Sequence, residues 1–190
     1  MSEWRSAPGS GKKHSALAEL DSAERGAVLD ELLRSRPALR TAGERIAREQ
    51  LANAEQEAVA GQVESELRSL SSDELNGRAG RQRWGYVEPT EAAWKLLEET
   101  AGSYERRIER LLALGMIAPA IETALGFIAG LYRCEGCHDD DLLLSWAPDF
   151  PSAHADWVVN KLAKAGVGLP YERFAGVAPE WAILSPTAGR

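Results

Sequence analysis

The chain has 190 residues, 44% hydrophobic and 27% charged, with a formal net charge of −7. That length supports one domain with its own core, and the composition excludes wholesale disorder. The acidic balance disfavours nucleic acid and anionic membrane as partners, and two closely spaced cysteines, Cys134 and Cys137, exclude a secreted disulfide scaffold.

Residues 1–15, MSEWRSAPGSGKKHS, are polar and Gly/Ser-rich and read as a disordered tail. They hold no apolar run of the signal-peptide kind, so the expected compartment is the cytoplasm. The Ala/Arg/Glu/Gly bias, with lysine scarce beside arginine, points to a GC-rich bacterial source.

Residues 16–76 read as N-terminal helices, one short and one long and charged. Asp21 offers an N-cap with Glu24 in the capping-box position. Val28, Leu29, Leu32 and Leu33 form an apolar stripe, and Pro37 stops the helix at Ser35. Pro37 then suits the first turn of the next helix. The stretch 38–70 holds no proline, and a thin stripe runs through Ile46, Leu51, Ala54, Ala58, Val63, Leu67 and Leu70. Unbroken, this helix spans roughly 50 Å; Gly61 is the expected break. Ser72 caps a short helical turn anchored by Leu75.

Residues 77–88 read as a basic and aromatic loop carrying Arg78, Arg81, Arg83, Trp84 and Tyr86. Arginine beside aromatics can grip phosphate and stack on bases. In an acidic chain, pairing of these arginines with glutamates on neighbouring helices, or contact with a protein partner, is the stronger expectation.

Residues 89–168 carry a helical hairpin and a final helix. After Glu88-Pro89-Thr90, the residues Trp94, Leu97, Ala101, Tyr104, Ile108 and Leu111 step three and four apart, an a/d seam. Gly115 is placed as its C-cap. Pro119 opens an antiparallel return helix lined by Ile121, Ala124, Leu125, Ile128 and Tyr132. Gly126 and Gly130 form a GxxxG that permits close approach of another helix. The run from Leu111 to Tyr132 is apolar, but Gly115, Pro119 and Glu122 interrupt it, so it reads as a buried helix and not a membrane span. Ser152 caps a final helix with Trp157, Val158 and Leu162, ended by Gly166. Residues 169–190 read as an irregular tail anchored by Tyr171, Phe174 and Trp181. The fold class is therefore all-α: a helical bundle or a helical-hairpin (TPR/HEAT-like) array of five to six helices.

The stretch GYVEPTEAAWKLLEETAGSYERRIERLLALGMIAPAIETALGFIAGLYRC, residues 85–134, resembles helical segments of uncharacterised bacterial proteins linked to SWIM-type zinc fingers. The zinc-finger cysteines of that group have no counterpart here. The resemblance implies a helical scaffold with an interaction role and transfers no active-site residue.

One cluster could carry chemistry, Cys134-Glu135-Gly136-Cys137-His138. C-x-x-C-H is the haem c attachment pattern, opposed here by acidic flanks and the missing export signal. A redox dithiol is opposed by the preceding helix C-terminus and by Asp139, Asp140 and Asp141, all of which disfavour thiolate. Zinc fits better: Cys134, Cys137 and His138 supply soft ligands, and His154 or an aspartate completes four, but a structural site usually brings a second pair and none exists, so Cys134 packed at a helix end and Cys137 in a solvated loop is the leading expectation. The three aspartates lack the spacing of a calcium loop. No phosphate loop, nucleophile elbow or HExxH is present. The expected function is thus a non-catalytic interaction or regulatory module, an adaptor or antitoxin-like protein with a protein partner or a homo-oligomeric state. A small metal-binding domain or enzyme built on the Cys134–His138 cluster is the alternative.

Overall fold

A computed structural model describes residues 15–83, 85–135 and 143–184. The fold is all-α, and the chain divides into two units, Met1–Glu49 and Gln50–Arg190.

The first unit is built from α1 (Ala16–Glu19), α2 (Ser22–Ser35) and α3 (Ala38–Ala52), whose last residues run into the second unit. The expected capping box starts α2. The Glu24 N–H donates to Asp21 Oδ1 at 2.8 Å, and the Asp21 N–H donates to Glu24 Oε2 at 2.9 Å. The helix ends at Ser35, as the following proline requires. Where α2 and α3 meet, Leu33 Cδ2 stands 3.5 Å from the position a Cβ on Gly43 would take. Arg40 Nε donates to the Leu33 carbonyl at 3.2 Å.

The second unit opens with α4 (Gln56–Ser69). The long helix expected over 38–70 is therefore two, and the break falls at residues 53–55, not at Gly61, which is an exposed residue inside α4. Asparagine competes poorly in helices. Here the Asn53 carbonyl accepts from Arg107 Nη2 at 3.3 Å, while the Ala54 N–H turns back to the Ala52 carbonyl at 2.8 Å. The turn lets α4 bury Val59, Ala60, Val63 and Leu67.

Next come α5 (Ser72–Arg78) and an antiparallel ribbon of β1 (Gly80–Gln82) and β2 (Gly85–Val87). Ser71, rather than Ser72, caps α5, its N–H donating to Glu74 Oε2 at 3.0 Å. Leu75 is its buried anchor, as expected. The ribbon corrects the reading of 77–88 as plain loop. Its strands are three residues long, too short for alternation to register, and Gly80 at φ 85° and Gly85 at φ 143° supply backbone states that favour glycine.

The hairpin of α6 (Pro89–Ala113) and α7 (Ile117–Cys134) follows. The seam positions Leu97, Ala101, Tyr104, Ile108 and Leu111 are buried, and Trp94 half-buried. Gly115, at φ 67°, closes α6 with the paired bonds of a Schellman cap: its N–H reaches the Leu112 carbonyl, and the Met116 N–H the Leu111 carbonyl, both at 2.9 Å. Leu111 and Met116 pack together beneath it. No helix among the described residues is long and apolar enough to cross a membrane.

Helix α7 is the axis of this unit. Every residue from Thr123 to Leu131 is buried, and α4 packs against it more extensively than its hairpin partner α6 does. Gly126 and Gly130 make that crossing possible, as the GxxxG spacing anticipates. A Cβ on Gly126 would lie 2.5 Å from the Gln56 carbonyl oxygen.

A 3-10 turn at Leu143–Trp146 leads to α8 (Phe150–Lys164), which Gly166 ends at φ 73° with a second Schellman cap. The helix starts one turn earlier than expected. Pro151 fits its first turn, and the Ser152 hydroxyl donates to the Asp149 carbonyl at 3.1 Å. The stretch read as an irregular tail is also largely helical, with α9 (Tyr171–Val177) and α10 (Pro179–Leu184) each opening at a proline. Phe174 and Trp181 are buried anchors, whereas Tyr171 is exposed. These corrections bring the number of α-helices among the described residues to ten.

Candidate interaction surface

No residue of α1, α2 or α3 is buried. The apolar stripe read on α2 is real, but Leu29 and Leu32 face solvent at 53% and 43% exposure, and Ile46 on α3 at 50%. Between the two helices lies a groove of about 1130 Å³. Leu29 and Leu33 form one wall, Gly43, Ile46 and Ala47 the other. Its rim is mixed in sign, with Asp30 and Glu44 set against Arg34 and Arg40. Isolated helices of about 15 residues are marginal in water and gain their stability from packing of the apolar face. A two-helix element none of whose residues is fully buried therefore presents a surface suited to being covered.

The basic and aromatic positions sit on the β1–β2 ribbon and its root. Arg81 pairs directly with Tyr86 across the strands, which places both side chains on one face. Both are exposed, Tyr86 at 65%, and Arg83 at the turn is exposed as well. Trp84 lies outside the described residues. Arg78 does not join this face: its Nη1 bonds Glu99 Oε1 on α6 at 2.6 Å, tying α5 to α6. That contact holds the Glu99 carboxyl below its ordinary value and raises the guanidinium. The ribbon is rooted by Ala79 and Val87, which pack against the main core.

Of the four positions expected to bind metal, Cys134 is buried at the end of α7 within the main core. Cys137 and His138 lie outside the described residues, as do Asp139, Asp140 and Asp141. His154 lies on α8 against α6, where its Nδ1 meets Glu105 Oε1 at 2.6 Å. Phe150 packs against the imidazole at 4.0 Å between centroids, tilted by 31°, and Trp94 stands edge-on to Phe150 at 5.2 Å. The carboxylate contact at Nδ1 fixes the orientation of the ring. One further ion pair, Lys161 with Glu109, fastens the same two helices. Among the described residues, no group of three or more His, Cys, Asp or Glu side chains is arranged to hold a metal ion. The His154–Glu105 pair joins α8 to α6.

Two inter-helix clasps had no signal in the sequence. Arg173 on α9 grips both oxygens of Glu122 on α7 at 2.8 Å and reaches Gln56 Oε1 on α4 at 2.8 Å. Arg133 on α7 bonds Glu57 on α4 at 2.8 Å, lowering that carboxyl. Both join residues far apart in the chain, so local spacing carries no trace of them. The groove had a partial signal in the sequence, the apolar stripe through Val28, Leu29, Leu32 and Leu33, but periodicity does not say whether a face is covered.

No family model, no curated protein and no solved structure matches this chain.

Proposed function

We propose that the chain is a non-catalytic helical protein-interaction or regulatory module, of the adaptor or antitoxin-like kind. The observation that carries this reading is the α2–α3 element, in which large apolar side chains line an open groove and no residue is buried. Amphipathic helices docking into apolar grooves are a recurrent mode of protein recognition. The mixed charge on the rim favours a protein over a polyanion. The Arg81–Tyr86 face of the ribbon is a secondary contact surface on the same reading, because aromatics and arginine are enriched where partners bind.

Quantitative co-purification from the source cell tests this, comparing the full chain with a Leu29→Glu/Ile46→Glu variant. Both positions are about half exposed, so the substitutions spare the protein's interior. The expected result is at least one protein held stoichiometrically by the wild type and released by the variant, a second copy of the chain included. A wild-type chain recovered alone, or equal recovery of all companions by both, overturns the reading.

A further inference from the structure

We propose that the occupant of the α2–α3 groove is the α2–α3 element of a second copy, so that the chain self-associates through two helical hairpins. This rests on the interaction-module reading and names its partner.

The first argument is size. A helix about 10 Å across rises about 1.5 Å per residue and fills roughly 120 Å³ per residue. The groove volume of about 1130 Å³ therefore matches some two to three turns of helix. That is the central part of a helix such as α2 or α3, whose lengths are 14 and 15 residues, or about four turns.

The second argument is area. Two helices about 21 Å long and about 10 Å wide present a face of roughly 400 Å² in projection. Two such faces in contact bury on the order of 1,000 Å² once side-chain relief is included, which meets the lower limit for a biological interface. A flat contact with a small ligand would leave Leu32 and Leu39, both more than 40% exposed, outside it.

The third argument is charge. Residues 16–52 carry six arginines against seven acids, whereas residues 53–190 carry thirteen basic and twenty-one acidic residues. The acidity of the chain thus lies almost wholly outside this element. Two copies that meet here bring together near-neutral surfaces, and the rim sets Arg34 and Arg40 beside Asp30 and Glu44, with Arg34 paired to Glu31 and Glu44 to Arg48 within each copy. A two-fold interface needs a patch that complements itself, and equal numbers of both signs around an apolar floor satisfy that condition.

Sedimentation velocity and light scattering on the purified full chain, from about 1 to 100 µM, a range that brackets ordinary homodimer affinities, test the proposal. The wild type is expected to be a dimer through the upper part of that range. The Leu29→Glu/Ile46→Glu variant is expected to be a monomer, with at least a tenfold weaker association constant and unchanged melting of the larger unit. A tagged and an untagged copy, co-expressed, are expected to co-purify only when both are wild type in the groove. A wild-type monomer throughout overturns self-association, as does a variant that dimerises as tightly as the wild type. Neither result touches the module reading, which co-purification from the source cell decides separately: a different protein held by the groove sustains that reading while self-association fails.

Discussion

Gly130 on α7 lies so close to Val63 on α4 that a Cβ on the glycine would stand 2.6 Å from the valine Cβ and 2.7 Å from the Ala60 carbonyl oxygen. The second contact is backbone, which cannot swing aside as a flexible side chain can. Gly130→Ala must therefore push α4 away from the axis of the second unit. The expected loss is about 3 kcal/mol, at the upper end of ordinary overpacking, or roughly 10 °C in melting temperature. Gly126→Ala should behave likewise, since its Cβ would meet the Gln56 carbonyl oxygen.

Gly61→Ala is expected to do the opposite. Gly61 sits inside α4 with nothing within 4 Å of a built Cβ. Alanine there adds no clash and removes the entropic cost of glycine in a helix, a gain of up to about 1 kcal/mol. A thermal melt of the three alanine variants thus separates close packing from helix propensity: two should fall and one rise. A fall at Gly61 would show that α4 is not held as described.

These glycines also mark what the sequence could convey. The capping box at Asp21, the seam from Leu97 to Leu111, the cap at Gly115 and the GxxxG crossing are all local patterns, and each is found where the spacing places it. The partner at that crossing was not legible. It is α4, about 65 residues upstream, whereas the adjacent α6 was the obvious candidate. The helix break at residues 53–55 was hidden for a related reason. The Asn53 carbonyl at the break is bonded by Arg107, on a different helix, and Gly61 keeps its helical state within an otherwise well-formed α4. The apolar stripe on α2 read correctly as a stripe, but periodicity does not say whether a face is covered, and Leu29 and Leu32 are not.

Tyr104 offers a third test. It is 5% exposed and stacks on Phe127 at 5.6 Å, and its hydroxyl, set toward the Glu66 carboxylate, makes no hydrogen bond of full geometry among the described residues. Burial, with the nearby Glu66 carboxylate, pushes the phenol well above its ordinary value, so it stays protonated under all ordinary conditions. A buried hydroxyl that makes no bond has lost its water without return. Tyr104→Phe keeps the ring and its stacking and is expected to be neutral or to stabilise by about 1 kcal/mol. Urea denaturation with an unchanged m-value checks this. A loss of more than about 1 kcal/mol would mean that the hydroxyl is bonded in solution.

The Glu122–Arg173 clasp predicts an acid dependence. The Arg173 guanidinium holds the Glu122 carboxyl below its ordinary value of 4.5, against the opposing effect of partial burial. A carboxylate depressed in the folded state adds stability that is present in full above the unfolded value. That stability is lost as pH falls through the folded value. Both side chains are more than a third exposed, at 42% and 35%, so solvent screening keeps the pair to less than about 1 kcal/mol. Glu122→Gln removes the charge while keeping a group that can accept from Arg173. At neutral pH the variant should melt a few degrees below the wild type, in keeping with a loss of that size. The gap should close as pH falls below about 4.5 and the wild-type carboxyl takes up its proton. A gap that stays constant across that window would place the effect in packing of α9, not in its charge contact with α7.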